Sequence, residues 1–253
     1  MKDEKCVITE IKKLSHSIYS LKFKSNFLKV NSLPGQFLNI KIDNTSPQIL
    51  RRPFSISDIK KDEIEILFNV VGKGTAILSM KKEGDYIDVL GPLGNGFKLN
   101  DDYEKYIILG GGIGIAPFPY LIRNLREKNI KFDVFFGYRN VNDIVKFNAF
   151  HYEVSTDDGS FGFKGNVIEM FLSRIDLYMD KKVKVFACGP NIMLKNLEKI
   201  NQNYGFEVEV SIESYMACGI GICQGCPVQS RNENKNYLVC KDGPCFNLTD
   251  IIL

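Results

Sequence analysis

Short segments rich in β-branched and aromatic residues occupy much of the first hundred positions of the chain. Several of them alternate apolar and polar residues with a period of two, which is typical of half-buried β-strands. The pattern predicts strands at residues 6–11, 17–23, 36–42, 63–71 and 86–90, with turns at Pro34-Gly35, Asp43-Asn44, 60–62 and Glu83-Gly84. Many short strands at this spacing indicate a small antiparallel β-barrel. One helix is predicted among them, at residues 76–82 with Thr75 as its N-cap.

The pattern changes near residue 103, where strand-like runs begin to alternate with helical ones. Strands are predicted at 106–109, 132–136, 183–187 and 207–211, and helices at 119–127, 166–171 and 192–201. This alternation indicates βαβ units, which form a parallel sheet covered by helices. After Ser211 the chain has too few apolar residues for a core of its own, and we expect this segment to fold around a metal centre.

Residues 106–122 are the one membrane-like stretch, seventeen residues without a charged side chain. A spanning helix needs roughly 20 apolar residues, and glycine or proline in its middle disfavours it. Six glycines and prolines interrupt this stretch. A buried strand followed by a glycine-rich turn explains it better than a membrane span.

Composition narrows the class of protein. The 253 residues carry 33 basic and 30 acidic side chains, a net charge of +3, which is too small an excess for a nucleic-acid-binding surface. With 44% hydrophobic and 25% charged residues, the chain is long enough and apolar enough to bury its own cores. The N-terminus has no apolar leader segment, so we expect a cytoplasmic protein with reduced thiols.

Five of the seven cysteines fall within 28 residues near the C-terminus. Four of them have the spacing Cys218-x4-Cys223-x2-Cys226-x13-Cys240, which matches the plant-type [2Fe–2S] arrangement. Structural zinc sites favour two C-x2-C pairs and this segment has one, so zinc and unliganded thiols are the weaker alternatives. Cys245 is a second candidate for the fourth ligand, although we favour Cys240. The two histidines are far apart in sequence, which argues against a two-histidine metal site.

A glycine-rich turn, Gly112-x-Gly114-x-x-Pro117, follows the strand predicted at 106–109 and precedes a helix. Glycines let the backbone approach a pyrophosphate and a helix N-terminus offers free N–H groups, so the turn predicts a dinucleotide phosphate site. A tight turn without a ligand is the alternative. The acidic residue that contacts an NAD ribose is absent after the next strand, where Arg139 stands, so the choice between NAD and NADP stays open.

A basic segment, Arg51-Arg52-Pro53-Phe54-Ser55, lies between two predicted strands of the barrel. Its arginine, aromatic ring and hydroxyl suit a ligand that combines a phosphate with a flat ring system. Further along, Gly74-Thr75 opens a helix whose N-terminus is able to face the same phosphate. An exposed basic turn with no ligand is the alternative.

Taken together, these motifs resemble those of the ferredoxin–NADP reductase superfamily. They occur in the order Arg52-Pro53-Phe54-Ser55, Gly74-Thr75, Gly112-x-Gly114-x-x-Pro117 and Cys188-Gly189-Pro190. Two further motifs narrow the resemblance, Gly91-Pro92-Leu93-Gly94-Asn95-Gly96-Phe97 and Glu213-x-x-Met216-x-Cys218-Gly219-x-Gly221-x-Cys223. With them the chain is similar, over essentially its whole length, to the electron-transfer subunits of B-type dihydroorotate dehydrogenases.

The resemblance implies a ferredoxin-reductase-like fold in three parts: an antiparallel FAD-binding β-barrel at residues 1–100, a parallel-sheet α/β NAD-binding domain at 101–210, and a small [2Fe–2S] segment at 211–253. By motif matching, FAD contacts Arg52, Pro53, Phe54, Ser55, Leu67, Phe68, Asn69, Gly74 and Thr75. NAD contacts Gly111, Gly112, Gly114, Pro117, Cys188, Gly189 and Pro190. The cluster is held by Cys218, Cys223, Cys226 and Cys240. Phe68-Asn69 stands where the family usually has Tyr-Arg, so that cationic phosphate contact is missing here.

The implied function is that of an oxidoreductase subunit with no acid–base catalytic residue of its own. Electrons from dihydroorotate would reach FMN in a partner catalytic subunit and pass through the cluster and FAD to NAD⁺, in pyrimidine biosynthesis. No residue set here looks like an orotate site, so we expect this chain to be half of an enzyme. The resemblance implies a heterotetramer with two copies of each subunit. The alternatives are an NAD(P)H:ferredoxin-type reductase subunit and, outside enzymes, an iron–sulfur redox sensor. No nucleic-acid partner or membrane span is expected.

Overall fold

The computed structural model describes residues 1–42, 50–100 and 102–253. Its N-terminal part contains the strands β1 (Lys2–Lys13), β2 (Ile18–Lys24), β3 (Phe37–Lys41), β4 (Arg52–Lys60), β5 (Glu63–Asn69) and β6 (Tyr86–Leu93). They pair antiparallel in the order β1-β2-β5-β4-β3-β6 and close into a barrel. Two short helices lie in the connections, α1 (Asn26–Asn31) and α2 (Lys73–Ser79). The turn predicted at Asp43-Asn44 lies outside the described residues.

Apolar side chains from alternate strand positions fill the barrel interior. In β2, Leu21 and Phe23 are fully buried, whereas Lys22 between them faces outward and pairs with Glu10 at 2.6 Å. Successive side chains of a strand point to opposite faces, so a period of two in sequence becomes one apolar and one polar face. The predicted antiparallel barrel is confirmed.

Strand β4 is absent from the sequence-based prediction, which has no strand between residues 42 and 63 and treats residues 51–55 as a segment between two strands. That prediction was wrong, because the strand already begins at Arg52. Proline lacks an N–H donor and is tolerated in a strand mainly where one edge is unpaired. Pro53 meets this condition, since Arg52 to Ser55 pair only with β3, and the pairing of β4 with β5 starts at Ile56. The barrel wall is therefore split between β4 and β5 at this end.

Helix α2 begins earlier than the sequence predicts. Its N-cap is Gly72 rather than Thr75, and the helix ends at Ser79 instead of residue 82. The Thr75 hydroxyl instead accepts hydrogen bonds from the N–H groups of Val71 at 3.0 Å and Gly72 at 3.2 Å. Threonine is favoured at an N-cap because its hydroxyl oxygen accepts hydrogen bonds from free N–H groups. Thr75 makes such bonds from within the first turn of α2, which explains why the sequence placed the start of the helix too late.

The described residues that follow contain the strands β7 (Lys105–Gly111), β8 (Phe132–Tyr138), β9 (Glu153–Thr156), β10 (Phe163–Lys164), β11 (Val183–Cys188), β12 (Glu207–Ser211), β13 (Pro227–Gln229), β14 (Asn236–Leu238) and β15 (Cys245–Asn247). Seven of them form one sheet in the order β10-β9-β8-β7-β11-β12-β15, and β13 pairs with β14. All pairs in the large sheet are parallel except that of β12 with β15. The helices are α3 (Phe118–Glu127), α4 (Val167–Leu172) and α5 (Asn191–Asn201).

Both faces of the large sheet are buried. On β7, Ile107 and Leu109 pack in the core that contains α4 and α5, whereas Ile108 packs in the core that contains α3. Burial on both faces explains why β7 and β11 are almost continuously apolar, as is typical of parallel sheets. The predicted helix-covered parallel sheet is confirmed.

The apolar stretch at residues 106–122 forms a strand, a turn and the start of a helix. After β7 comes a 3₁₀ turn at Gly112–Ile115, and α3 begins only at Phe118. Pro117 is therefore the N-cap of α3. The sequence alone suggests that it belongs to the first turn of that helix. Among the described residues, no helix is long and apolar enough to cross a membrane.

The connection from the barrel to the sheet is anchored on the sheet. The Phe97 ring lies 4.9 Å from the ring of Phe186 on β11, between centroids. The N–H of Lys98 donates to the Glu209 carboxylate, which also pairs with Lys184 at 3.0 Å in a buried position. Burial raises the pKa of Glu209, and the adjacent ammonium of Lys184 opposes that rise. These contacts fix the connection against β11 and β12, with Lys184 near the amino end of β11.

Candidate functional site

A cleft of about 720 Å³ lies between the barrel and the carboxyl ends of the parallel strands. Ligands of open parallel sheets bind at this edge, where loops leave the strands. The barrel contributes Ser17, Ile18 and Asn69 to its wall. The sheet side contributes Gly111, Gly112, Ile113, Gly114, Gly137, Tyr138, Arg139, Asp143, Asp157, Asn166, Val167, Ile168, Gly189, Pro190, Ile192, Met193, Asn196 and Glu213. The volume lies within the range of pockets that bind small ligands.

The glycine turn after β7 is packed tightly against the end of β11. A side-chain carbon on Gly114 would lie 2.4 Å from the carbonyl oxygen of Cys188, and one on Gly111 would lie 2.6 Å from the sulfur of Met193. Gly112 has a φ of +56°, in the left-handed region that favours glycine. The turn therefore brings its own backbone and the Gly189-Pro190 segment to one side of the cleft.

Two residues predicted to contact the nucleotide do not line this cleft. Pro117 is buried beneath the turn, and the Cys188 side chain is only 4% exposed, within the core that contains α3. Burial, followed by the charge of Glu213, raises the pKa of the Cys188 thiol, which therefore stays protonated. Only the backbone of Cys188 lies next to the glycine turn.

Several residues of the cleft wall are absent from the set that the sequence predicted to contact the nucleotide. Tyr138 ends β8 and Asp157 follows β9, and the N–H of Asp157 donates to the Tyr138 carbonyl at 3.0 Å. The rule that ligands bind beyond the carboxyl ends of parallel strands would have identified these positions. Burial raises the pKa of Asp157, and the nearby guanidinium of Arg139 opposes the rise. Glu213 also lines the cleft, where the surrounding protein raises its pKa although the side chain keeps contact with solvent.

A second group of predicted residues meets at the split in the barrel wall. A side-chain carbon on Gly74 would lie 3.3 Å from Nε of Arg52 and 3.1 Å from Cδ1 of Ile42. The Arg52 guanidinium also donates to the carbonyl of Leu50. The missing side chain at Gly74 thus leaves a small cradle beside a guanidinium and the start of α2, and this fits a phosphate group.

The other predicted flavin residues lie around the same split. Phe54 and Phe68 are buried in the barrel core with their ring centroids 5.9 Å apart, and Leu67 is buried as well. Pro53 and Ser55 are half-buried on the opposite face of β4. Asn69 ends β5 with a buried Oδ1 that has no hydrogen-bond partner among the described residues. An unpartnered buried acceptor beside the split fits a ligand that donates a hydrogen bond there.

The cysteine-rich segment brings its thiols together as two pairs. The N–H of Cys223 donates to Sγ of Cys218 near the surface, and the N–H of Cys240 donates to Sγ of Cys226 in the interior, both at 3.4 Å. A [2Fe–2S] cluster takes two cysteine ligands on each iron, so two pairs fit it better than they fit a single ion. In the part of the chain that the structure describes, no three His, Cys, Asp or Glu side chains surround one ion position.

Backbone N–H groups point at these sulfurs. Gly221 donates to Sγ of Cys240 at 3.1 Å, and Cys223 donates to Sγ of Cys218 at 3.4 Å. Burial disfavours the Cys218 thiolate, but the N–H donors outweigh it and lower the pKa to about 6. Burial and the neighbouring Cys226 raise the pKa of Cys240 to about 12. Gly219 and Gly221 have φ values of +73° and +82°, which turn the loop around the sulfurs.

Cys245, the other candidate for the fourth ligand, lies elsewhere. It sits on β15 with its thiol buried, donating a long hydrogen bond of 3.7 Å to the carbonyl of Gly35. Burial raises its pKa well above the ordinary value. Its surroundings are the hydrophobic core under α3, and the two thiol pairs are formed without it.

Comparison with known proteins assigns the family. A model of the iron-sulfur cluster binding domain of dihydroorotate dehydrogenase B matches residues 213–252, and a model of the oxidoreductase FAD-binding domain matches residues 5–97. The dihydroorotate dehydrogenase B (NAD(+)) electron transfer subunit of Fusobacterium nucleatum is 35% identical, over 99% of both chains. The chain belongs to this family. The corresponding subunit of Clostridium acetobutylicum is 38% identical, over 95% of this chain and 94% of its own.

Family membership confirms the resemblance to electron-transfer subunits and the presence of FAD-binding and iron–sulfur-binding domains. It also favours an iron–sulfur cluster over zinc at the paired cysteines. The solved structure of an NADH-dependent reduced ferredoxin-NADP oxidoreductase is 27% identical with a TM-score of 0.86, covering 98% of this chain and 89% of that one. The ferredoxin reductase of a carbazole 1,9a-dioxygenase has a TM-score of 0.70 at 18% identity, covering 83% of this chain and 68% of that chain, and shares the fold alone.

Proposed function

We propose that this chain is the electron-transfer subunit of an NAD-dependent dihydroorotate dehydrogenase in pyrimidine biosynthesis. It would carry electrons taken from dihydroorotate in an FMN-containing partner subunit to NAD⁺. The observation that carries the proposal is the full-length identity of 34–38% to electron transfer subunits of this enzyme, together with the two cysteine pairs. We further propose a cytoplasmic location and three functional units at residues 1–100, 101–210 and 211–253.

Three sets of residues would hold the groups that carry the electrons. For FAD they are Arg52, Pro53, Phe54, Ser55, Leu67, Phe68, Asn69, Gly74 and Thr75. For NAD they are Gly111, Gly112, Gly114, Pro117, Cys188, Gly189 and Pro190, of which Pro117 and Cys188 would act by supporting the turn. For the cluster they are Cys218, Cys223, Cys226 and Cys240. Bound FAD exchanges a hydride with a nicotinamide and single electrons with an iron–sulfur cluster, so it links the two kinds of carrier.

The position of Asn69 supports a shared boundary between the flavin and nucleotide sites. It ends β5 beside the split barrel wall, and it also lines the cleft that the glycine turn borders. The chain then has to orient two ring systems and exclude water from between them, which needs no acid–base residue. This agrees with the absence of a catalytic acid or base from the prediction.

The exposed side of the cluster segment suits a partner protein. Residues 214–230 contain no charged side chain, and within them Tyr215 is 96% exposed, Ile222 is 75% exposed and Cys223 is exposed. Exposed apolar residues within an uncharged segment suit contact with another protein. We propose that the FMN-containing subunit docks here, in a heterotetramer with two copies of each chain. An Ile222→Asp variant should then fail to co-purify with that subunit while it retains FAD and iron.

Separating the two subunits tests the function. The chain alone, purified anaerobically, should contain about one FAD and two irons. It should oxidise NADH with an artificial dye, because that reaction needs only the flavin and nucleotide sites of this chain. Dihydroorotate oxidation coupled to NAD⁺ should require the FMN-containing subunit, since no orotate site was identified in this chain.

The alternative is an NAD(P)H:ferredoxin-type reductase subunit, which the structural similarity to the ferredoxin-NADP oxidoreductase favours. Rapid reduction of ferredoxin by NADH, with no dihydroorotate activity after the FMN-containing subunit is added, would support that alternative. Zinc in place of iron would contradict both functions.

A further inference from the structure

Two asparagines of the barrel hydrogen-bond to the two ends of the cluster-binding loop. Nδ2 of Asn39, on β3, donates to the carbonyl of Cys218, the first cluster cysteine, at 3.3 Å. Nδ2 of Asn95, just after β6, donates to the carbonyls of Lys241 at 3.1 Å and Asp242 at 2.9 Å. Lys241 directly follows Cys240, the last cluster cysteine. The barrel therefore contacts the loop beside its first and its last ligand.

Asn39 places a polar side chain at a position where its burial is costly unless a hydrogen bond compensates. Its neighbours Leu38 and Ile40 face the barrel core, so Asn39 faces outward from the barrel, yet it is fully buried beneath the loop. Burying an amide costs free energy unless it is hydrogen-bonded, and one of its two polar atoms has no partner among the described residues. The bond to Cys218 is the one hydrogen bond recorded for this amide within the described residues.

The loop is shaped to receive this amide. Gly219 has a φ of +73°, and a side-chain carbon there would lie 2.5 Å from Nδ2 of Asn39. Any other residue at position 219 would therefore displace the Asn39 side chain from the carbonyl of Cys218. At the other end of the loop the N–H of Asn95 also donates to the carbonyl of Gly243 at 2.6 Å, so Asn95 makes three bonds to consecutive residues.

The same strands carry the residues assigned to FAD. Asn39 lies opposite Pro53 in the β3–β4 register, and its carbonyl accepts a hydrogen bond from the Arg51 guanidinium at 3.3 Å. Strand β6, which leads to Asn95, pairs with the edge of β3 that lies opposite to β4. Each asparagine is thus joined through a strand ladder to the flavin-binding wall and through its side chain to the cluster loop.

We propose that Asn39 and Asn95 are positioning residues that hold the cluster at a defined separation from the flavin. The inference rests on the proposed function, because it assigns the two cofactors to these sites. Electron transfer between two centres slows as their separation grows, so residues that fix this separation affect the transfer rate. The asparagines would therefore affect transfer between flavin and cluster, but not hydride transfer from NADH.

The test uses the full chain with both cofactors bound and three variants. Asn95→Ala removes two bonds at an exposed position, where folding is not at risk. Asn39→Leu replaces a buried amide by an apolar side chain of similar size. Asn203→Ala is the matched control, because Asn203 is exposed and its recorded hydrogen bond is made by the backbone.

NADH is mixed anaerobically with each variant, and reduction of the cluster is followed by rapid-freeze EPR. NADH is oxidised to NAD⁺, its two electrons enter the flavin with the hydride, and one of them passes on to the cluster. We expect cluster reduction to slow severalfold in Asn95→Ala and Asn39→Leu. Flavin reduction, NADH–dye activity, FAD content and iron content should match those of the native chain and of Asn203→Ala.

Two outcomes would overturn the proposal. Unchanged cluster reduction in both variants would show that the asparagines do not control the separation. Loss of iron, or a parallel fall of flavin reduction, would show a role in folding or cofactor retention instead of positioning. This readout needs no dihydroorotate, so it stays decisive even if the proposed partner reaction is wrong. Absence of flavin and iron from the native chain would refute the proposed function itself.

Discussion

The nucleotide cleft and the cluster loop both depend on glycines, but different forces hold them in shape. Behind the cleft, β7 and β11 are buried on both faces, and Gly114 packs directly on the end of β11. The cluster loop is partly exposed, and N–H donors to sulfur at 3.1–3.5 Å are prominent among its contacts. The cleft is therefore formed by the apolar core before any ligand binds. Cys226, Val239 and Cys240 pack in the core that contains α4 and α5, whereas Gly219 is the only buried residue at 213–225. The conformation of residues 213–225 should therefore depend on the cluster.

The largest effect should come from removing a cluster ligand. Cys240→Ser breaks the inner thiol pair, so we expect the EPR signal of the reduced cluster to be lost or strongly changed. Dihydroorotate-dependent NAD⁺ reduction by the complex should fall by at least about a hundredfold. NADH–dye activity should persist, because the cleft does not rest on the cluster.

Cys245→Ser is the matched control for that substitution. It places a hydroxyl in the buried site beside Gly35, which should lower the free energy of unfolding by about 1 kcal/mol and leave the EPR signal unchanged. If Cys245→Ser removed the signal and Cys240→Ser did not, the fourth ligand would be misassigned.

Removing iron with a chelator should affect the cluster loop but not the nucleotide cleft of the same molecule. Metal binding and local folding are coupled where a segment is poorly buried, so residues 213–225 should lose hydrogen-exchange protection and become sensitive to protease. The strands β7 and β11 should stay protected, and NADH–dye activity should be retained. Equal loss of protection in both regions would contradict the comparison.

A smaller but distinct effect is expected from crowding the nucleotide turn. The added carbon in Gly114→Ala would meet the Cys188 carbonyl at 2.4 Å, and overpacking of this kind costs about 1–3 kcal/mol. We expect weaker NADH binding in titrations and a lower melting temperature, with the cluster spectrum intact. Gly72→Ala is the control for stability, because no atom lies within 4 Å of its added carbon and its φ of −168° is extended. If Gly114→Ala were as stable as Gly72→Ala, the turn would accommodate the added carbon more easily than its packing indicates.

The smallest effect concerns Glu213, which joins the cleft wall to the cluster segment. Desolvation by the surrounding protein raises the pKa of its carboxyl although the side chain is exposed, so ionisation in the folded state costs free energy. Its contribution to stability is fully present below the unfolded pKa of about 4.3 and is lost as the pH rises through the higher folded value. Glu213→Gln should therefore match the native melting temperature at low pH and exceed it near neutral pH. A native chain that is the more stable one at neutral pH would refute this assignment.

Residues that lie close together in sequence and share one periodicity were predictable. The uncharged stretch at 106–122 was interpreted as a strand and a glycine turn, and the structure has β7 and a 3₁₀ turn there. The spacing of the four cysteines likewise indicated a two-iron cluster, because the ligands lie in one short segment. Strand β4 was missed because Pro53 and polar neighbours hide its pattern, and its pairing is visible only once β3 lies beside it.

By itself the sequence determined the two architectures and the glycine turn, and it predicted the cysteine ligand set, because each of these is encoded in local spacing. The tertiary structure alone decided which distant residues meet. It placed Arg52 beside Gly74, buried the Cys188 thiol away from the cleft, and brought Asn39 to the carbonyl of Cys218 across 179 positions. Such contacts follow from the order in which strands pair and from the way the C-terminal segment packs on the barrel. Strand order and packing arise from the summed burial of many side chains, and no local pattern encodes that sum.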